Sequence, residues 1–238
     1  LFFHGGGWVS GNIVSYTKTC TELAKQTGRR VLSVDYRRAP EYPFPCAAED
    51  CYQITRELFL HSKPLESTDD SIILMGDSAG GNLAAAVSLM AADRGEFKVQ
   101  KQILIYPSTF NDHSKTSPFP SINENGNDFL LTSKKICDYQ DLYIQNQEDL
   151  TNPYFAPLLS NHLENQPNTL LITAEFDPLR DEGEEYGKKL RRFGNNITIH
   201  RMKDALHGFF SLPYPFYQVK QCYEWINKFL DGVPVNEQ

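Results

Sequence analysis

Ser78 is the residue whose surroundings point most clearly to chemistry. It lies in the segment Gly76-Asp-Ser-Ala-Gly-Gly81, between a short β-branched apolar run at 71–75 and an alanine- and leucine-rich run that begins at Asn82. The first run predicts a buried strand and the second a buried helix. A G-x-S-x-G pattern at a strand-to-helix turn is typical of a nucleophilic serine.

The glycines of this pattern have a steric explanation. A sharp turn brings its flanking residues close together, so a Cβ at Gly76 or Gly80 would crowd it. The serine hydroxyl would then project into a cleft above a helix N-terminus, whose dipole favours negative charge. The segment therefore predicts that Ser78 is the nucleophile of an acyl-transfer reaction.

The base expected for such a serine is a histidine that follows it along the chain. The base takes the hydroxyl proton and an acidic group orients it, and on such a sheet the expected order is serine, acid, histidine. Of the six histidines, His200 and His207 follow the last candidate acid at a strand end. His200 lies inside a strand-like run at 197–202, whereas His207 lies in the loop after it. We therefore predict that His207 is the base.

The predicted acid is Asp177. It follows a strand-like run at 169–174, at the carboxyl end where the sites of open α/β sheets collect. Asp181 begins the next helix and is expected to act as a cap or structural partner. Glu175 and Asp204 remain alternatives.

A glycine loop after the first apolar run supplies a third component. A tetrahedral oxyanion needs converging backbone N–H donors, and glycines allow the backbone geometry that this requires. In His4-Gly-Gly-Gly-Trp8 the predicted donors are Gly6 and Gly7, together with Ala79 after the serine. A phosphate-binding loop is disfavoured because the G-x-G-x-x-G and G-K-[ST] patterns are missing. His4 is expected to hold the loop by hydrogen bonds.

The elements that must position these residues alternate between strand and helix patterns. Predicted strands lie at 1–3, 31–35, 71–75, 102–106, 169–174 and 197–202. Predicted helices lie at 16–27, 47–61, from 82 onward, and at 133–147, 182–193 and 217–230. Such alternation predicts a mostly parallel sheet with helices on both faces. Residues 107–168, rich in Asn, Ser, Pro and Asp, replace a single crossover and are expected to form part of a lid within one domain at 1–238.

Composition narrows the classes of partner. The chain is 40% hydrophobic and 22% charged, as is usual for a globular domain, and its net charge of -7 argues against nucleic acid or anionic membranes. No apolar run approaches the length of a membrane span. The five cysteines are scattered, which favours reduced thiols in the cytoplasm over disulfides or a metal site. Homo-oligomerisation stays open.

Five motifs in order give the chain a family resemblance. They are His4-Gly-Gly-Gly-Trp8, Asp35-Tyr-Arg-Arg-Ala-Pro-Glu-Tyr-Pro-Phe-Pro45, Gly76-Asp-Ser-Ala-Gly-Gly81, Asp177-Pro-Leu-Arg-Asp-Glu-Gly183 and His207-Gly-Phe209. Over residues 1 to about 230 the chain resembles the hormone-sensitive lipase-like esterases of the α/β-hydrolase fold. The resemblance implies hydrolysis of short- to medium-chain carboxylic esters without a cofactor, by Ser78, Asp177 and His207. It implies the same three oxyanion donors and structural roles for Tyr36 and Arg37 in buried hydrogen bonds and charge pairs.

The remaining expectations concern the pocket and the front of the chain. Trp8 and Leu206 are the candidate pocket residues, and core packing is the alternative for Trp8. Enzymes of this family begin with cap helices and two further strands, whereas this sequence opens at the strand that follows them, so we expect it to be a fragment of a longer chain. Two other functions remain open, an amidase or deacetylase with the same triad and a non-catalytic ligand-binding protein of this fold. The complete serine, acid and histidine set argues against the second.

Overall fold

The centre of the computed structural model, which describes residues 1–61 and 72–233, is a six-stranded parallel sheet. The strands are β1 (Phe2–Phe3), β2 (Ser33–Val34), β3 (Ile73–Asp77), β4 (Lys101–Ile105), β5 (Asn168–Phe176) and β6 (Ile197–Leu206). Their order is β2-β1-β3-β4-β5-β6. The predicted parallel sheet is confirmed, although Ser71, at the start of the predicted third strand, lies outside the described residues.

Seven α-helices are found in the described parts of the chain. They are α1 (Thr17–Thr27), α2 (Cys46–Leu60), α3 (Ala79–Arg94), α4 (Pro120–Asn125), α5 (Ser133–Tyr143), α6 (Arg180–Arg192) and α7 (Tyr217–Leu230). Helix α5 ends before the predicted residue 147 because the β-branched Ile144 adopts an extended conformation and buries its side chain. None of these helices combines the length and hydrophobicity that a membrane crossing requires.

Two hydrophobic cores cover the two faces of the sheet. Successive strand residues point to opposite faces, so Leu104 belongs to one core and its neighbours Ile103 and Ile105 to the other. Helices α2, α3 and α6 contribute to the first core, and α1 and α7 to the second. The predicted placement of helices on both faces is therefore confirmed.

The strand order creates a crevice beside β1. After β1 the chain passes to α1 on one face, and after β3 it passes to α3 on the opposite face. Loops that leave neighbouring parallel strands toward opposite faces open a crevice at their carboxyl ends. Where β1 pairs with β3, Phe3 lies opposite Gly76, so the loop that starts at His4 begins beside Asp77.

The register between β5 and β6 changes near their carboxyl ends. Ala174 pairs with Met202, but two residues later Phe176 pairs with Leu206. Strand β6 therefore contains residues 203–205 where β5 has Glu175 alone, and Asp204 within this bulge has a φ of 52°. The irregularity brings the residues that follow both strands to the same level.

The long segment between β4 and β5 packs against the carboxyl side of the sheet. It contains α4, α5 and two 3₁₀ turns. The Asn82 side chain at the start of α3 donates to the carbonyl oxygens of Ser108 (2.9 Å) and Phe155 (2.6 Å). These bonds hold the start of the segment and a point near Phe155 beside the first turn of α3.

Candidate active site

Ser78 lies on a strained turn between β3 and α3. Its φ of 55° and ψ of -121° are unusual for a residue with a side chain. A Cβ added to Gly76 would lie 2.1 Å from the Gly80 carbonyl oxygen, and one added to Gly80 would lie 2.0 Å from the Phe3 carbonyl oxygen. The close contact of three backbone segments thus requires glycine at both positions and imposes the conformation of Ser78.

Ser78, His207 and Asp177 form a continuous hydrogen-bonded chain. The distance from His207 Nε2 to Ser78 Oγ is 2.8 Å, and the distance from His207 Nδ1 to Asp177 Oδ2 is 2.7 Å. Because a carboxylate can only accept, Nδ1 carries the proton and Nε2 is free to accept from the serine hydroxyl. This arrangement has the geometry required to activate a serine nucleophile.

The Asp177 carboxylate is buried and held from several directions. Its Oδ1 accepts from the backbone N–H of Leu179 at 2.9 Å. Two residues of α4 hold the surrounding loop, because Asn125 Nδ2 donates to the Asp177 carbonyl oxygen and Ser121 Oγ donates to that of Pro178. The backbone N–H of Ser121 also donates to Asp181, as expected for a structural partner.

The other two acidic candidates face each other where the register changes, Glu175 on β5 and Asp204 in the bulge of β6. Glu175 Oε2 accepts from the backbone N–H of Asp204 at 2.8 Å, and the Asp204 carbonyl oxygen accepts from Gln218 Nε2 at 3.1 Å. Neither carboxylate is bonded to His207 in the described structure. Instead, these contacts stabilise the change of register that places Asp177 beside His207.

The glycine loop after β1 lies beside Ser78 at the wall of one cavity. Gly6 and Gly7 have φ values of 119° and 61°, in the region that favours glycine, and both line the same cavity as Ser78 and Ala79. Ala79 is the first residue of α3, so its N–H group has no acceptor within the helix. The three predicted donors therefore lie around one cavity.

This cavity has a volume of about 330 Å³ and a largely apolar wall. Leu131, Ile136 and Tyr139 from the region of α5 line it, so part of the 107–168 segment contributes to the cavity wall. Trp8 also lines it while its ring stacks on Tyr143 with centroids 4.8 Å apart.

Leu206, the other predicted pocket residue, does not line this cavity but an adjoining groove that shares His207 and Gly208 with it. Its side chain is 39% exposed and lies along a neighbouring groove with Leu130 and Phe216. Successive side chains of an extended strand point to opposite sides, so Leu206 points away from the direction that His207 takes.

The expectation for Tyr36 and Arg37 is right for the first residue and only partly right for the second. Tyr36 is buried and its hydroxyl donates to the His4 carbonyl oxygen at 2.6 Å. Arg37 pairs with Asp50 at 2.7 Å, but its side chain is 49% exposed, so this charge pair lies on the surface. His4 is buried against the Tyr36 ring, with its Nδ1 2.8 Å from the Gly5 carbonyl oxygen.

Two residues of the cavity wall, Asp77 and Tyr16, escaped sequence reasoning. Asp77 is fully buried, and burial raises the pKa of its carboxyl group to about 6 even though Tyr16 and Gly5 donate to it. The position of Asp77 inside the serine motif was visible in the sequence. Tyr16 carried no signal, because its contact with Asp77 depends on how α1 packs.

A buried ion pair behind the site was also missed. His113 Nε2 lies 2.8 Å from Glu182 Oε2, and both side chains are almost fully enclosed. Glu182 also accepts from the backbone N–H groups of Thr109 and Phe110. Burial by itself lowers the pKa of His113, but the adjacent Glu182 charge outweighs it and raises that pKa above its usual value. The pair joins α6 to the segment that covers the site.

Comparison with known proteins gives consistent relatives. A family model described as the alpha/beta hydrolase fold matches residues 1–211. Esterase LipI of Mycobacterium tuberculosis is 37% identical over 211 residues, covering 88% of this chain and 64% of the relative. An arylesterase of Saccharolobus solfataricus is 36% identical over 214 residues, covering 90% of this chain and 68% of the relative. The chain thus spans roughly two thirds of the length of these curated relatives.

A solved structure matches over nearly the whole of this chain. A hyperthermophilic esterase of Pyrobaculum calidifontis has a TM-score of 0.91 and 36% sequence identity, covering 97% of this chain and 73% of that chain. The similarity therefore includes the strands and loops that carry Ser78, Asp177 and His207.

The first prediction concerns the glycines of the turn. Gly76→Ala should lower the free energy of unfolding by at least about 3 kcal/mol, because the new Cβ meets backbone atoms that cannot move aside. Gly95→Ala is a matched control with a φ of 66° and open space around the new Cβ, so it should cost only about 1 kcal/mol. Urea denaturation of both variants measures the difference. Equal losses would contradict the steric explanation.

The second prediction concerns the His113–Glu182 pair. Because the pKa of His113 is raised in the folded state, the pair adds stability that is fully present below about pH 6.5 and is lost as the pH rises through the raised value. The advantage in unfolding free energy of the wild type over His113→Gln should therefore shrink as the pH is raised. Urea titrations at several pH values measure it, and an advantage that grows with pH would contradict the assignment.

Proposed function

The chain belongs to the α/β-hydrolase fold family, and from this premise we propose that it is a serine carboxylesterase that works through an acyl-enzyme intermediate. The observation that carries the proposal is the hydrogen-bonded chain from Ser78 through His207 to Asp177 at the edge of an apolar cavity. Relatives named esterase and arylesterase support ester hydrolysis as the reaction.

The first half-reaction acylates Ser78. Its Oγ attacks the ester carbonyl carbon while His207 Nε2 takes the hydroxyl proton. The buried Asp177 carboxylate stabilises the imidazolium that forms and keeps the ring oriented. The carbonyl electron pair moves onto oxygen, where the N–H groups of Gly6, Gly7 and Ala79 receive it, each supplying on the order of 3 kcal/mol. When the tetrahedral intermediate collapses, His207 returns the proton to the leaving alcohol.

The second half-reaction releases the acid. With the alcohol gone, a water molecule occupies its place and gives a proton to His207 as its oxygen attacks the acyl carbon. The same backbone donors hold the second oxyanion. Collapse breaks the bond to Ser78 Oγ, which recovers its proton from His207, and the carboxylic acid leaves.

The cavity supports short- to medium-chain acyl groups as substrates. Its volume of about 330 Å³ is bounded by apolar side chains such as Leu131, Ile136 and Leu179. Such walls stabilise an alkyl chain through burial of apolar surface, and the limited volume of the cavity restricts how much of a long chain can be buried. All five cysteines are free thiols, which supports the further proposal of a reducing, cytoplasmic environment.

Replacing the nucleophile tests the proposed mechanism. Ser78→Ala should lower kcat for p-nitrophenyl butyrate at least about a thousandfold, because the members of a triad act as a unit. Ser108→Ala is the matched control, since Ser108 lines the same cavity but is not bonded to His207 in the described structure. A fluorophosphonate probe should label the wild type and Ser108→Ala but not Ser78→Ala. A Ser78→Ala variant with near-wild-type activity would rule the mechanism out.

A substrate series separates the proposed esterase from an amidase. The wild type should hydrolyse p-nitrophenyl acetate, butyrate and octanoate faster than the palmitate, because a cavity of about 330 Å³ can bury only part of the longest chain. Matched p-nitroanilides should react much more slowly than the esters. Equal or faster cleavage of the anilides would favour the amidase alternative, and no cleavage of either would favour a binding protein.

A further inference from the structure

Two residues that the proposed reaction does not use form a hydrogen-bonded triangle with the start of the glycine loop. The Gly5 N–H lies 2.9 Å from Asp77 Oδ1 and 3.1 Å from the Tyr16 hydroxyl oxygen, and the Tyr16 hydroxyl donates to Asp77 Oδ2 at 2.9 Å. We propose that Tyr16 and Asp77 are a positioning pair that fixes Gly5 and thereby aims the N–H groups of Gly6 and Gly7 at the oxyanion. This inference rests on the proposed function.

The glycine loop needs such an anchor because its backbone is strained. Gly6, Gly7 and Trp8 have φ values of 119°, 61° and 60° in succession. Glycine adopts positive φ values readily, but a left-handed tryptophan persists only where the surrounding structure imposes it. A loop of this kind would relax if either end were released, and its amide groups would then point elsewhere.

The far end of the loop has its own anchors. The Trp8 carbonyl oxygen accepts from the Ala39 N–H at 2.9 Å, and the Trp8 ring stacks on Tyr143 with an angle of 4° between the planes. At the near end, a Cβ on Gly5 would lie 2.8 Å from the Asp77 carbonyl oxygen and 3.0 Å from the Tyr16 hydroxyl. Gly5 therefore packs directly against Tyr16 and Asp77, with no room for a side chain between them.

The location of the pair links the glycine loop to the nucleophile. Asp77 is the residue before Ser78 and ends β3, while Gly5 follows β1, so one carboxylate bridges the two loops that must converge on the oxyanion. Tyr16, the residue before α1, completes the bridge, and its hydroxyl both accepts from Gly5 and donates to Asp77. Asp77 and Tyr16 also line the cavity that holds Ser78. Loss of a hydrogen bond in this triangle should therefore weaken the stabilisation of the oxyanion.

Tyr16→Phe is the sharpest test, because it removes one hydroxyl and keeps the ring that packs against Phe2 and His4. We expect kcat to fall at least about tenfold while KM stays within about threefold, since the transition state loses stabilisation and the bound ester does not. Affinity for an alkyl trifluoromethyl ketone, which forms a tetrahedral oxyanion on Ser78, should fall by the same factor as kcat/KM.

Tyr154→Phe is the matched control. The Tyr154 hydroxyl also donates to a carboxylate, that of Asp93 at 2.8 Å, but this hydrogen bond is exposed to solvent. Loss of that bond should leave kcat, KM and ketone affinity close to their wild-type values. Circular dichroism and urea denaturation of both variants report their folding.

Variants of Asp77 test whether the pair acts as a unit. Asp77→Asn keeps an oxygen acceptor for Gly5 and should retain more activity than Asp77→Ala. Adding Tyr16→Phe to Asp77→Ala should cost little further activity, because residues that act through one contact are not additive.

The outcomes separate this inference from the proposed function. If Tyr16→Phe keeps wild-type kcat, or loses kcat with unchanged ketone affinity, the positioning pair is overturned although the wild type is still an esterase. Full additivity of the Tyr16 and Asp77 changes would overturn it as well. If the wild type hydrolyses no ester and its Ser78 is not labelled by a fluorophosphonate, the proposed function fails instead.

Discussion

The contact between three backbone segments at Gly76 and Gly80 is the constraint on which the site depends. The Phe3 carbonyl oxygen would lie 2.0 Å from a Cβ on Gly80, so β1 and the first turn of α3 meet with no side chain between them. This approach sets the positive φ of Ser78 and holds the loop after β1 beside it. Ser78 and the loop of the proposed oxyanion donors are therefore brought together by this packing contact.

The other half of the site depends on strand register. Up to Ala174 and Met202 the two strands pair in one register, which would leave His207 out of line with Asp177. The bulge at 203–205 shifts the pairing so that Phe176 lies opposite Leu206. The residues that follow the two strands, Asp177 and His207, then lie side by side, with 2.7 Å between Asp177 Oδ2 and His207 Nδ1. Glu175 accepts from the backbone of Asp204 within the bulge, so a residue considered as the acid instead helps to place the histidine.

The long segment between β4 and β5 serves both halves. Side chains from the region of α5 line the cavity, and Ser121 and Asn125 of α4 hold the loop around Asp177. The buried Glu182 accepts from two backbone N–H groups at the start of the segment and pairs with His113. A segment of irregular composition is thus tied to the catalytic side of the sheet by specific polar contacts.

The sequence by itself determined the parallel sheet, the order of its strands and helices, and the motifs around Ser78, Asp177 and His207. These follow from local patterns, because hydrophobic periodicity and glycines at a turn act over a few residues. Tertiary structure alone decided the contacts of Tyr16, of Glu175 and of the His113–Glu182 pair. It also decided that Leu206 lines the adjoining groove and not the cavity at Ser78. Those features join residues distant in the chain through packing and register, and no local pattern encodes which distant side chains will meet.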